Sequence, residues 1–399
     1  MLKRAVIIVG LGFGDEGKGL ATDFYCQHSE KPLVVRFNGG HQAGHTVVKA
    51  NGMRHIFSSF GAGTLSGAPT YWSSYCTVSL AALLREYGEL SGLIAPKLLL
   101  DPQCPVTTHY DVLFNRAVEA TRGSERHGSC GLGFGATIER NQKFGIKLTV
   151  HDLLIKSAFK AKLKVIRSYY QQRINSETKF SFKQFDHDKE DYQFEQDAAA
   201  FAQLKASGVI DLTRAENIFS NESPWNTFVF EGAQGILLDM DFGHYPHVTR
   251  SNTTSKNALQ ILQRYAPEIA AGATIAYVTR CYQTRHGAGP FQPIDCEFLF
   301  ANELETNVFN AYQGEFRIGP LNVDALNYAL SCDAYYSKGL SKHLLVTCID
   351  QLPTRFIPYQ LGSTAGKVLI DDFSSILETP FNKVNFSFSN SADVLRWQN

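Results

Sequence analysis

Val6-Ile7-Ile8-Val9-Gly10-Leu11-Gly12-Phe13-Gly14-Asp15-Glu16-Gly17-Lys18-Gly19 is the stretch that decides the fold class. Four β-branched residues in a row predict a buried strand. The glycines after them predict a turn whose backbone N–H groups can converge on an anion. Gly12, Gly17 and Lys18 sit at the spacing of the phosphate-loop pattern G-x-x-x-x-G-K-[ST]. That pattern ends in a hydroxyl that ligates Mg²⁺, but Gly19 stands there in this chain. The loop can therefore cradle phosphate with its amides and Lys18 while lacking the usual metal ligand. A carboxylate, Asp15, lies inside the loop instead, where it can bind Mg²⁺, act as a base, or do both. Lys18 has no evident structural reason to follow Gly17 in so tight a loop, which favours a ligand. A dinucleotide-binding turn requires G-x-G-x-x-G and an acidic residue closing the second strand, whereas Glu30 precedes a strand.

A second glycine-dense loop, Asn38-Gly39-Gly40-His41-Gln42-Ala43-Gly44-His45-Thr46, follows the predicted strand Leu33-Val34-Val35-Arg36-Phe37. In an open parallel sheet, ligands sit at the C-terminal ends of strands. Gly39, Gly40 and Gly44 permit close backbone approach there, and His45 can point at the same phosphate as Asp15.

These two loops together resemble adenylosuccinate synthetase. The resemblance extends through Gly128-Ser129-Cys130-Gly131-Leu132-Gly133-Phe134-Gly135, Phe230-Glu231-Gly232-Ala233-Gln234-Gly235, Leu237-Leu238-Asp239-Met240-Asp241-Phe242-Gly243, Tyr245-Pro246-His247-Val248-Thr249-Arg250-Ser251-Asn252-Thr253-Thr254 and Thr284-Arg285-His286-Gly287-Ala288-Gly289-Pro290-Phe291. It spans nearly the whole chain in the family's order. It implies phosphorylation of the 6-oxygen of inosine monophosphate by GTP, followed by displacement of phosphate by the amine of aspartate.

In that chemistry Asp15 removes the N1 proton and shares Mg²⁺ with the backbone of Gly44, while His45 donates to the phosphates. Lys18 neutralises the β- and γ-phosphates, and Gln234 bonds the activated purine edge. The implied nucleotide-phosphate set is Gly14, Glu16, Gly17, Gly19, Gly44 and Thr46. The implied purine-nucleotide set is Gln42, Ser129, Cys130, Lys143 and Thr249, with Lys143 near the position that a second subunit contributes in a homodimer. Asp350, in Thr347-Cys348-Ile349-Asp350, matches the carboxylate with which the family reads guanine.

The departures from the family pattern lie mostly on the acceptor side. A Thr- and Arg-rich loop that binds the carboxylates of aspartate is missing where Glu315-Phe316 runs directly into Arg317-Ile318-Gly319-Pro320. Arg317, with Arg285 or Arg280, is left for that task, since carboxylates call for forked donors. Cys130 replaces a phosphate-binding Thr, Leu132 an Arg, Gln42 an Asn, His286 a Val and Cys348 a Lys. Three readings follow. The first is a ligase for aspartate and a 6-oxopurine nucleotide. The second is a divergent relative taking another purine nucleotide, such as GMP or dGMP, or another amine. The third is a nucleotide-binding regulator without turnover.

Composition sets the remaining bounds. The chain has 399 residues, 44% hydrophobic, with a formal net charge of zero, enough for a large core in one elaborated domain. No basic stripe argues for nucleic acid. Eight cysteines are scattered without metal-type spacing and read as reduced thiols of a cytoplasmic protein. No apolar run is long enough to span a membrane. The predicted strands are 5–9, 33–37, 97–100, 227–230, 274–279 and 343–348. They imply an α/β, P-loop-like nucleotide-binding fold with a large, mainly parallel central sheet. Residues 151–220 read as a helical insertion, with Lys160-Ala161-Lys162-Leu163-Lys164 as a solvated helix face offset by acid between Asp186 and Glu195.

Overall fold

The computed structural model describes residues 3–291, 305 and 312–396. At its centre is a sheet of nine strands. In chain order they are β1 (Arg4–Gly10), β2 (Pro32–Arg36), β3 (Thr70–Trp72), β4 (Leu98–Leu100), β5 (Ile210–Leu212), β6 (Thr227–Gly235), β7 (Thr274–Arg280), β8 (Ser341–Thr347) and β9 (Lys383–Phe386). Across the sheet the order is β9-β8-β7-β1-β6-β2-β3-β4-β5, and every neighbouring pair is parallel. All C-terminal ends therefore share one edge. The chain winds outward in both directions from β1, and the crevice at such a reversal is where open α/β sheets take ligands.

The central strands are buried on both faces, and their period-2 alternation divides them between two cores. Ile7, Val9, Val35, Phe228, Phe230, Ile275 and Leu344 belong to one cluster, and Val6, Ile8, Val34, Val229, Ala276 and Leu345 to the other. All six predicted strands are present. The largest difference is β6, which continues through Glu231-Gly232-Ala233-Gln234 to Gly235. The predicted strand stops at 230, whereas pairing with β1 resumes at Gly235 after a shift in register and keeps this segment in the sheet. Strands β3, β5 and β9 went unrecognised, being only three or four residues long.

Residues 151–220 are not wholly helical. They contain α5 (Lys156–Glu177) and α6 (His187–Ala206), but also β5, which pairs with β4 at the sheet edge. Helix α5 buries Phe159, Leu163, Ile166, Tyr170 and Ile174, a stripe at helical spacing. These residues share a core with Trp72, Leu98, Leu100 and Ile210 of the sheet. The lysine-rich face is solvated as expected. Lys160 pairs with Glu195 at 2.7 Å and Lys162 with Asp152 at 2.7 Å, while Leu163 points inward. Among the described residues, no helix is long and apolar enough to cross a membrane, and the cysteines are free thiols. Cys296 lies outside the described residues.

Candidate active site

Strand β1 ends at Gly10, and the loop after it leads into α1 (Lys18–Gln27) through Gly17 at φ 98°. Two backbone amides, Gly12 N–H and Gly14 N–H, converge on one point, and an anion occupies it. That anion is the chain's own Glu16 carboxylate, which accepts from Gly12 at 3.0 Å and Gly14 at 2.7 Å. Lys18, 1% exposed, donates to the same carboxylate at 2.5 Å and to Gly14 O at 2.8 Å. The expectation that Lys18 lacks a structural partner is thereby corrected, because Glu16 and Lys18 form a buried pair inside the loop. The side chain of Glu16, rather than its backbone, fills the place where a phosphate would compete for the same donors.

The absence of a hydroxyl at Gly19 has a steric cause. A Cβ there would lie 2.8 Å from Thr46 O and 3.1 Å from the backbone carbon of His45. Helix α1 thus packs directly against the second loop and brings His45–Thr46 to the cradle. Gly44 at the turn before them is exposed. Asp15 is half-buried beside the cradle. Desolvation raises its carboxyl to about 6, with Arg280 and Lys18 opposing and Glu16 and Glu305 assisting. Arg280 Nε donates to the Asp15 carbonyl. Its guanidinium also pairs with Glu305 at 2.8 Å and reaches Tyr282 Oη at 2.8 Å. Arg280 is therefore tied to the loop.

His45 is 6% exposed, and its Nδ1 lies 2.7 Å from Glu231 Oε1. Glu231 sits near the C-terminal end of β6, opposite Ile8 and Arg36, and is fully buried. Burial works to raise its carboxyl, but His45, Arg36 and the Ala62 amide outweigh burial and hold it below the ordinary value. Desolvation lowers the imidazole of His45 against the pull of Glu231. Sequence reasoning missed Glu231. Its signal was a lone charge inside the apolar strand Thr227-Phe228-Val229-Phe230.

Beyond Glu231 the strand turns outward, with Gln234 at φ 59°. Asn38 fixes this corner, donating to Ala233 O at 3.0 Å and accepting from Ala233 N–H at 2.7 Å. Gln234 Oε1 and both amide atoms of Gln42 are buried without a partner, and a side chain on Gly39 would touch both residues. Buried amides are normally satisfied, so these atoms can accept a further polar partner.

The hairpin Gln283–His286 with Phe316–Gly319 sets Arg285 directly across from Arg317. Like charges opposite each other destabilise a strand pair. Burial, and then the charge of Arg317, lowers the Arg285 guanidinium to about 10. Arg285 stacks 4.2 Å from the ring centroid of Phe13 in the phosphate loop and donates to Ala288 O and Pro290 O. Arg317 donates to Gly287 O and Gly289 O.

At the end of β8, Thr347 Oγ1 donates to Glu16 O at 2.7 Å, joining the segment that leads to Asp350 to the cradle. Cys348 at φ 64° turns the chain, leaving Asp350 exposed. The other candidates are more peripheral. Ser129 Oγ bonds Asn115 Oδ1 at 3.0 Å, and burial pushes up the half-buried Cys130 thiol. Thr249 is tied through its backbone to Leu238 O. Lys143 follows α4 (Phe134–Gln142) with a largely exposed side chain. Its contacts are local, with Glu139 and the ring of Phe144, so this chain does not bring it to the cradle.

The family model for adenylosuccinate synthetase matches residues 7–356. An adenylosuccinate synthetase of Edwardsiella ictaluri (strain 93-146) is 35% identical over 367 residues, covering 88% of this chain and 79% of the relative. The solved structure of fully ligated adenylosuccinate synthetase from Plasmodium falciparum superposes with a TM-score of 0.76 at 18% identity, covering 97% of this chain and 98% of the other. Succinoaminodeoxyadenylate synthetase of cyanophage S-2L, bound to dGMP and dATP as an energy donor, superposes with a TM-score of 0.64 at 18% identity, covering 100% and 96%. With a family match over most of its length and a relative at this identity, the chain belongs to the adenylosuccinate synthetase family, ligases that form a C–N bond.

Proposed function

We propose that the chain uses GTP to phosphorylate the 6-oxygen of inosine monophosphate and then joins aspartate at that carbon, giving adenylosuccinate. The observation that carries this reading is Asp15, a carboxyl raised to about 6 beside a phosphate cradle. A base of that strength is ionised at neutral pH yet retains proton affinity. It takes the N1 proton of the purine, the resulting 6-oxyanion attacks the γ-phosphorus, and GDP leaves. The aspartate amine then attacks C6 and phosphate departs. Gly12, Gly14 and Lys18 receive the donor phosphates once Glu16 gives way, and His45 donates to them. Gln234 and Gln42, with unsatisfied amides, hold the purine edge, and Ser129, Cys130 and Thr249 lie toward its 5′-phosphate. Asp350 reads guanine.

The hard carboxylate of Asp15 beside the cradle fits Mg²⁺, which takes one or two carboxylates and completes its shell from phosphates and water. Asp15 and the Gly44 carbonyl would hold it, and it would neutralise charge on the β- and γ-phosphates. Arg285 and Arg317, cationic and bonded to neutral carbonyls, receive the carboxylates of the acceptor. Lys143 serves a partner's site in a homodimer, and the protein works in the cytoplasm as one elaborated domain. The short connection from Glu315 to Asn322 favours a second reading, in which the same phosphorylation serves another purine nucleotide, such as dGMP, or another amine. An Asp15→Asn variant tests the enzyme class. Turnover should fall by about 10²–10⁴-fold with nucleotide affinity largely kept, and unchanged turnover would refute the reading.

A further inference from the structure

We infer that Thr77 is a positioning residue for Gln42: its buried hydroxyl donates to the Gln42 side-chain carbonyl and so turns the amide nitrogen toward the purine nucleotide. The inference rests on the proposed nucleotide site, and it adds a residue that takes no part in the reading above.

Thr77 follows β3 and is 0% exposed. Its N–H donates to Gly39 O at 3.1 Å and it bridges Gly40, so the segment after β3 is stitched alongside the second loop. Its Oγ1 has no hydrogen-bond partner among the described residues. A hydroxyl sealed from water normally has one, because leaving it unpaired is costly. A Cβ built on Gly40 would lie 2.5 Å from Thr77 Oγ1 and 2.9 Å from Gln42 Oε1. The two unpaired oxygens therefore flank one small space, which a glycine leaves open. A Cβ built on Gly39 would lie 3.5 Å from Gln42 Nε2 and 3.8 Å from Gln234 Oε1. Thr77 is thus on the carbonyl side of the Gln42 amide, and Gln234 is on its nitrogen side.

A threonine hydroxyl has one hydrogen to donate, and an amide oxygen only accepts. Their bond satisfies both groups and fixes which end of the amide is which. Glutamine is long and flexible, and its amide can present donors or an acceptor, so an unanchored Gln42 would hold a ligand poorly. Anchored on Thr77, it offers hydrogens, which suit the acceptors of a purine edge such as the 6-oxygen or a ring nitrogen. A reversed amide would suit an exocyclic amino group instead.

The test is Thr77→Val, which keeps the shape and removes the hydroxyl. Dissociation constants for inosine, guanosine and deoxyguanosine monophosphates and for GTP would be measured by calorimetry. For the monophosphate that the parent binds, Kd should rise about 5- to 10-fold, the worth of one hydrogen bond, while Kd for GTP stays within about twofold. The ligand-free variant should melt no lower than the parent, since no bond within the chain is lost. In a Gln42→Leu background, Thr77→Val should weaken binding no further, because the carbonyl it serves is gone. An unchanged Kd in Thr77→Val would overturn the proposal, as would an equal loss in the Gln42→Leu background. The binding measurement needs no turnover. A protein with the expected changes in Kd but no phosphate release would count against the proposed reaction and leave the role of Thr77 standing. Binding of none of the monophosphates by the parent would overturn both.

Discussion

Two carboxylates one residue apart do opposite things in the phosphate loop. Asp15 is pushed up to about 6, chiefly by burial, so it binds a proton more tightly folded than unfolded. By linkage its stabilising contribution is complete below the unfolded value near 4 and is lost as pH rises through about 6. Activity runs the other way, since a base must be ionised. The kcat/KM profile should therefore have an acid limb near pH 6 that disappears in any residual activity of Asp15→Asn. Glu16 holds Lys18 and the loop amides in advance of phosphate. Glu16→Gln strips a buried lysine of its partner and should cost about 3 kcal/mol of ligand-free stability. Nucleotide would then restore the missing charge, so Mg²⁺·GTP should raise the melting temperature more in Glu16→Gln than in the parent. An equal or smaller rise would show that Glu16 does not stand in the phosphate position. Neither role was legible from residue types. Asp15 was marked by its place in the loop, but the pairing of Glu16 with Lys18 needed the side-chain path across the turn.

The first loop and the loop after β2 are fitted to each other at Gly19, which packs against the backbone of His45 and Thr46. Gly19→Ser supplies the hydroxyl of the common phosphate loop but no room for it. It should destabilise by about 1–3 kcal/mol in a denaturant titration and give no gain in Mg²⁺-dependent rate. The arginine-bearing hairpin belongs to this scale as well. Arg285 and Arg317 oppose each other with like charge, a local conflict that the proposed dicarboxylate acceptor would relieve. Arg317→Leu should raise KM for aspartate about 10- to 100-fold, the worth of a lost charge-assisted hydrogen bond, with KM for the purine nucleotide within about threefold. A purine KM that rose equally would place Arg317 in the nucleotide site. Sequence supplied Arg317 by alignment and Arg285 only as one of two choices. The structure sets Arg285 across from Arg317, whereas Arg280 turns back to the Asp15 carbonyl.

At the scale of the molecule, the parallel sheet carries every motif to one edge. The ends of β1, β2, β6, β7 and β8 are adjacent in the sheet, so loops hundreds of residues apart in sequence meet. This architecture was legible because the central strands are apolar on both faces and β1 and β2 run into glycine-rich loops. The short strands β3, β5 and β9 were not, since three or four residues carry no periodicity and take their strand character from neighbours. Glu231 was hidden for a related reason, as its partner lies 186 positions away and no local pattern announces it. The proposed ligase activity rests on this convergence. Its most direct test is phosphate release with Mg²⁺ and GTP or ATP, offered with inosine, guanosine or deoxyguanosine monophosphate, with and without aspartate, and products read by mass spectrometry. The expected result is GTP- and aspartate-dependent phosphate release with inosine monophosphate gaining the mass of aspartate less water. Nucleotide binding with no phosphate release under any pairing would contradict it.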